Sequence, residues 1–311
     1  MQAAKSIPLS AHELRDAVRH SQGFDAARLD RILRHEEGRG LIEVQASTPW
    51  RAIAAYLRPG DPQAELASRR TTMPTIGESI ARNAAGPDGR PAVAHVDSIT
   101  IITPDGELRR INRLAHGALF ALVCGGHGLF GAIYSITLRV DSLVRAVNDA
   151  VPAEAPASTD KPSLQLLIPP EAVETFLQAA RSRCDEWRIA IESAKQRDTL
   201  PEDETFLRWA RRRYTEISLR LGALRTLGGA VRATQLCREL IDAAIAAGGS
   251  FPIARTPDAT REQVAACYPE LPAFLAEKRR LDPGEKLVNG WYLHHRGLFS
   301  RERCETRWNQ A

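Results

Sequence analysis

The sequence predicts a mixed α+β protein of two domains, and three observations predict it. Short runs with the period-two alternation of a half-buried strand are interspersed with stretches of helical spacing rather than segregated from them. A Pro-, Ala- and Ser-rich stretch, VPAEAPASTDKP at 151–162, divides the pattern near mid-chain and reads as a linker or exposed crossover. The length of 311 residues points the same way, since single cores seldom grow much beyond ~200 residues.

Taken in order, Leu9-Ser10-Ala11-His12-Glu13 opens a helix, because Ser10 can cap and Glu13 stands three residues later; it runs to about Ser21. GLIEVQAS at 40–47 alternates as a strand does, Pro49 sits where a helix can begin, and residues 50–57 continue with helical spacing. DSITIIT at 97–103 alternates again and meets the turn Pro104-Asp105-Gly106, so residues 107–111 form the return strand of a hairpin. Residues 115–123 read as a helix, Gly125-Gly126-His127-Gly128 breaks it, and AIYSITLRV at 132–140 is a strand. In the second half, 164–168 is a strand and a helix opens at Pro169-Pro170-Glu171 to reach about Cys184. Residues 214–221 are a strand, and 233–247 an amphipathic helix closed by Gly248-Gly249.

Composition narrows the function classes. A net charge of +4, from 42 basic and 38 acidic residues, is mild, and no basic stretch has the aromatic interleaving of a nucleic-acid surface. The densest run, Arg208 to Arg213, reads as a solvated helix face. Five cysteines are an odd number with no two at metal-ligand spacing, which argues against a zinc site or disulfide framework and for reduced thiols in a cytoplasm. No run approaches the ~18 apolar residues of a membrane span, and residues 1–9 lack the apolar core of a signal peptide. A cytoplasmic protein is the expectation.

Three segments carry a resemblance: LDRILRHEEGRGLIEVQASTPW at 29–50; TIGESIARNAAG at 75–86, followed by HVDSITIITPDGEL and GGHGLFGAIYSITLRV; and FLAEKRRLDPGEKLVNGWYLHHRGLF at 274–299. Together they resemble the FAD-linked oxidases of the vanillyl-alcohol oxidase/p-cresol methylhydroxylase family over nearly all of the chain after residue 28. The resemblance implies a PCMH-type FAD-binding domain over residues 1–142 and a linker over 143–162. A smaller α+β substrate or cap domain follows over 163–281, and a tail, 282–311, returns to the FAD domain. It implies FAD contacts from Thr75, Ile76, Gly77, Asn83, Gly86, His127, Gly128 and Gly131. The residue types suit that task, since glycines let backbone N–H groups approach a pyrophosphate and adopt positive φ, while hydroxyl and amide side chains add donors. The competing reading is that these glycines only make turns and caps.

The sequence departs from the family in five places. His20-Ser21-Gln22-Gly23-Phe24-Asp25 runs almost directly into Leu29, leaving no room for the first pyrophosphate loop, so the N-terminal subdomain is incomplete. Glu78 stands where a second glycine is usual, and a carboxylate beside a pyrophosphate costs on the order of 1 kcal/mol or more once desolvated. Ala85 replaces the histidine that some members use for covalent attachment, so FAD is expected to be non-covalent. On the substrate side, Lys195-Gln196-Arg197 keeps an arginine but not the family's carboxylate, and Arg255-Thr256-Pro257-Asp258 lacks the usual His or Lys before Tyr268-Pro269.

His294 and His295, beside Trp291 and Tyr292, offer a base with a near-neutral pKa for oxidation of an alcohol carbon, with Arg197 as a further substrate-side residue. Lys278 and Asp282 are spaced to pair structurally, and Cys124 reads as a buried small hydrophobe. No residues stand out as metal ligands. Two functions remain open at this level. One is an FAD-linked oxidoreductase acting on an alcohol, polyol or sugar-lactone-like small molecule. The other is an inactive relative that binds FAD weakly or has lost it, and keeps the fold as a binding or assembly partner of an intact oxidase or as a homo-oligomer.

Overall fold

The computed structural model describes residues 6–21, 23–61, 75–86, 88–148, 163–222, 226–256 and 258–300. The fold is mixed α+β. It divides into two compact units: Met1–Glu154 with Glu204–Leu207 and Pro272–Ala311, and Ala155–Asp203 with Arg208–Leu271. Of the linker expected over 143–162, residues 143–148 are helical, within Val140–Asn148, and 149–162 lie outside the described residues.

The first unit is built on a five-stranded antiparallel sheet in the order β1-β2-β5-β3-β4 (β1 Ile32–Glu36, β2 Leu41–Gln45, β3 Val96–Ile102, β4 Leu108–Asn112, β5 Ala132–Arg139). The hairpin expected at Pro104-Asp105-Gly106 joins β3 to β4, with Gly106 at φ +83° and Ile101 paired to Arg109. Helix α1 (Ala11–Arg19) starts where Ser10 accepts the Glu13 N–H. The Glu13 carboxylate reaches one residue further back than a capping box requires, to the Leu9 N–H at 2.7 Å. Leu14 and Val18 of α1 pack on Leu29, Ile102, Ala132 and Leu287, so the chain near residue 287 closes the same core as the first helix. Helices α2 (Trp50–Leu57), α3 (Ile76–Ala81), α4 (Gly117–Val123) and α5 (Val140–Asn148) complete the part before residue 149.

Two more helices belong to this unit: α9 (Leu271–Leu281), from Pro272 onward, and α10 (Gly290–Ser300). Arg113 fastens its irregular parts. Its guanidinium donates to the Val93 and Val96 carbonyls at 2.9 and 2.5 Å, pairs with Glu204 and lies over the Phe120 ring.

The second unit has a three-stranded antiparallel sheet, β6-β8-β7 (β6 Ser163–Ile168, β7 Ile191–Thr199, β8 Tyr214–Leu221), with helices α6 (Val173–Trp187), α7 (Leu227–Ala246) and α8 (Arg261–Cys267). Helix α7 begins six residues before the expected start, because Thr226 accepts the Gly229 N–H and acts as its cap. The solvated helix face expected at Arg208–Arg213 is not a helix. Trp209 and Ala210 are buried, and Arg211, Arg212 and Arg213 each pair with an acid, Glu270, Glu171 and Asp198. The buried Trp209-Ala210 in an irregular segment, followed by three exposed arginines each paired with its own acid, displaces the helical reading. No helix among the described residues is long and apolar enough to cross a membrane.

Candidate functional site

The two glycine-bearing segments singled out in the sequence meet in the first unit, and their backbones bind one another. The Gly125 N–H donates to the Ile80 carbonyl at 2.9 Å and the His127 N–H to the Ala81 carbonyl at 2.8 Å. The loop at 125–128 thus caps the end of α3: the Ala81 carbonyl takes the His127 N–H, and the Ile80 carbonyl takes the Gly125 N–H beside that of Asn83.

Within the segment 75–86, which resembles the family's flavin-contacting stretch, residues 76–81 form the helix α3, capped by Thr75, whose hydroxyl accepts the Glu78 N–H at 3.3 Å. The first three N–H groups of this helix are engaged. Ile76, which is fully buried, donates to the Thr48 carbonyl at 3.1 Å, Gly77 to the Ala46 carbonyl at 2.7 Å, and Glu78 to Thr75. Gly77 does not have the positive φ expected of it. It is glycine because a Cβ there would stand 2.6 Å from the Ala46 oxygen, a close backbone approach between α3 and the end of β2. Glu78 is exposed, so its carboxylate keeps its hydration and the repulsion expected of a desolvated charge is weakened.

Asn83 takes the left-handed conformation at φ +44° and is buried, its side-chain oxygen accepting the Val93 N–H at 3.0 Å. Gly86 donates to the Arg90 carbonyl at 2.7 Å in a turn closed by Asp88, whose carboxylate accepts the Arg90 N–H at 3.1 Å. Buried His95 stands behind this turn. Its Nδ1 meets the Ser142 hydroxyl at 2.7 Å, and its Nε2 has no hydrogen-bond partner and lies 3.8 Å from Asp88. Burial pushes the Asp88 carboxyl up, but His95 and Arg90 outweigh it and hold it below the usual range. Gly131 is needed for packing, since a Cβ there would come within 2.8 Å of the Ile101 side chain.

The open feature is the lip at His127-Gly128. Gly128 has φ +74°, an added Cβ would meet nothing within 4 Å, and among the described residues none accepts its N–H. His127 holds φ +55°, and its ring lies flat on Trp291 of α10, centroids 4.0 Å apart at 10°. Trp291 packs in turn against His295 at 4.2 Å, and His294 meets His295 edge-on at 4.9 Å. Burial above all, then Arg82 and His295, lowers the His127 pKa to about 3. Burial likewise lowers buried His295 to about 4, although its Nδ1 bonds the Trp291 carbonyl at 2.9 Å. Of the two histidines expected to offer a near-neutral base, His295 is buried with its pKa held low by desolvation, and His294 is exposed. Arg197 belongs to the second unit, on β7, where it pairs with Glu216 of β8 at 2.6 Å.

Asn289 escaped the sequence reading. It precedes Gly290-Trp291-Tyr292 as an N-cap, and a cap residue ahead of an aromatic helix was the signal available.

Open backbone donors decide whether this site suits a dinucleotide. The N-terminus of α3 has spent its own on protein carbonyls and a hydroxyl, whereas the Gly128 N–H is taken by none of the described residues and the space beside its Cα is open. The residues therefore fit such a group at the lip. No curated protein matches the chain. Residues 15–112, which run from α1 to the end of β4 and include Thr75 to Gly86, match the family model described as the FAD binding domain. That domain is typical of FAD-dependent oxidoreductases, and FAD is the cofactor it indicates for this chain.

Proposed function

We propose that the protein is an FAD-linked oxidoreductase that oxidises an alcohol, polyol or sugar-lactone-like small molecule. The match of residues 15–112 to the FAD binding domain carries the reading. When bound, FAD supplies the hydride acceptor. The chain's own residues then have the following parts. Gly128 offers its N–H to a cofactor oxygen, and Asn83 and Gly86 shape the neighbouring turn. The flat His127–Trp291 pair forms an apolar, uncharged wall that keeps water off one side. His295 supports His294 edge-on, and His294, open to solvent, accepts the hydroxyl proton of the substrate and passes it to water.

Binding of FAD is non-covalent and weak. Pyrophosphate cradles depend on charge-assisted backbone hydrogen bonds of roughly 1.5–3 kcal/mol each, and two or three missing with the first loop cost on the order of 3–9 kcal/mol. At ~1.4 kcal/mol per tenfold, affinity falls at least a hundredfold. Titration of apo-protein with FAD, followed by flavin fluorescence, tests the proposal: weak saturable binding at a single site is expected. Failure to bind at millimolar FAD would remove the oxidoreductase reading and leave that of a partner protein.

A further inference from the structure

We propose that Asn289 is a positioning residue for the cofactor: by holding the His127 carbonyl it fixes the direction in which the Gly128 N–H points. The inference rests on the FAD reading of this lip.

Asn289 makes two hydrogen bonds with opposite ends of one amide. Its Oδ1 accepts the Tyr292 N–H at 3.0 Å, the geometry of an N-cap for α10. Its Nδ2 donates to the His127 carbonyl at 2.7 Å, across 162 positions of sequence. Capping needs only an oxygen, and an aspartate or serine supplies one equally well. The second bond is what requires the amide: aspartate has no donor, and a serine hydroxyl has one oxygen at the cap and no second polar atom to span to the His127 carbonyl.

That carbonyl does not move alone. The His127 C=O and the Gly128 N–H belong to one planar trans peptide, on which they point in opposite directions. Anchoring the oxygen on one side aims the hydrogen on the other. Gly128, at φ +74° with open space around it, would otherwise let this peptide rotate, since glycine has the widest backbone freedom. His127 itself sits at φ +55°, a conformation that histidine adopts at some cost and that its surroundings must hold. Three things hold it: the N–H bond to the Ala81 carbonyl at 2.8 Å, the stack on Trp291 at 4.0 Å, and the Asn289 amide. Two of the three come from the segment 289–291. This stretch, far along the chain and outside the matched residues 15–112, thereby sets the donor at the lip.

The acceptor that suits an aimed, lone backbone N–H is an anionic or carbonyl oxygen, which FAD carries both on its pyrophosphate and on its ring. The test uses the full chain and three variants. Asn289→Asp and Asn289→Ser both keep a capping oxygen, so apo melting temperature and far-ultraviolet dichroism should stay near the parent's. Asn289→Asp has no donor, and Asn289→Ser lacks the second polar atom that reaches His127, so in both FAD affinity should fall by about tenfold, the equivalent of ~1.4 kcal/mol. Asn289→Ala, losing cap and donor together, should lose apo stability as well. Competition by ADP and by riboflavin tells the two oxygens apart: the ligand whose own affinity falls in Asn289→Ser carries the acceptor. Equal FAD affinity in the parent and Asn289→Ser would overturn the proposal, and so would a loss confined to Asn289→Asp, which would be charge repulsion. A parent chain that binds no FAD would overturn the FAD reading itself, and this role with it.

Discussion

Lys278 and Asp282 form an ion pair one turn apart at the end of α9, with neither side chain reaching solvent. Asp282 also accepts the Lys286 and Leu287 N–H groups at 3.0 and 2.9 Å, and the Lys278 ammonium lies 5.7 Å from the Tyr292 ring centre. The pair thus ties α9, the following turn and α10 together. Lys278→Met leaves the carboxylate buried and half-satisfied, and removing one partner of such a pair costs about 3–5 kcal/mol. Burial raises the Asp282 pKa, but Lys278 and the two N–H groups outweigh it and hold it below the ordinary value. A lowered carboxylate pKa contributes stability that is present above the unfolded value of ~3.9 and lost as pH falls through the folded one. Urea unfolding at neutral pH is the measurement; a Lys278→Met midpoint equal to the parent's would show that the pair contributes nothing.

Gly77 and Gly128 were equivalent in the sequence, and the structure separates them. A Cβ at Gly77 collides with the Ala46 oxygen at 2.6 Å, so Gly77→Ala should lose about 1–3 kcal/mol of stability with or without flavin. Gly128→Asn meets no neighbour, and asparagine tolerates the left-handed region better than other side chains. That variant should fold with a melting temperature near the parent's yet bind FAD at least tenfold more weakly, because its side chain enters the space over the N–H. An FAD affinity in Gly128→Asn equal to the parent's would remove the lip from the site.

Arg113 supplies a third expectation. Val93 and Val96 are fully buried, and their carbonyls face the guanidinium. Arg113→Met leaves both oxygens without this donor, at roughly 1–3 kcal/mol for each unsatisfied group. Arg113→Lys should recover little, since a single ammonium lacks the planar fork that spans two carbonyls and Glu204. Chemical denaturation of the two variants checks this, and full recovery by lysine would disprove the fork argument.

The parts of the fold legible in the sequence were those with a strong local signal. Leu41–Gln45, Val96–Ile102 and Ala132–Arg139 carry β-branched, alternating runs and form the three inner strands of the first sheet, mostly buried on both faces, and Gly106 marks its turn. Strands Ile32–Glu36 and Ile191–Thr199 escaped because they are edges, largely solvent-exposed, with no apolar alternation to read. Helix Ile76–Ala81 is too short for its period to show in the sequence, and Gly77, whose residue type suits backbone freedom, serves close packing instead. Within the candidate site, the residue types at His127, Gly128, Trp291 and His295 were visible, but their stacking was not. It depends on contacts across more than 160 positions, which no local periodicity encodes.

His295 gives the last prediction, in the pH dependence of stability. Its side chain is only 2% exposed, burial lowers its pKa to about 4, and the carbonyl bond from Trp291 only partly offsets that. In the unfolded chain the same imidazole titrates near ~6.5. Between these values the unfolded state binds a proton that the folded state refuses, so stability must fall as the solution is acidified. The loss is nearly absent at pH 7.5 and reaches about 2 kcal/mol at pH 5, at ~1.4 kcal/mol per pH unit. His127, lowered to about 3, pushes in the same direction. His295→Gln should be weaker than the parent at pH 7.5, having lost the packing on Trp291, but should lose about 2 kcal/mol less between pH 7.5 and 5. Urea titrations of both proteins at the two pH values give this difference directly, and equal losses would mean that His295 is protonated in the folded protein and that the stack with Trp291 does not depend on its neutrality.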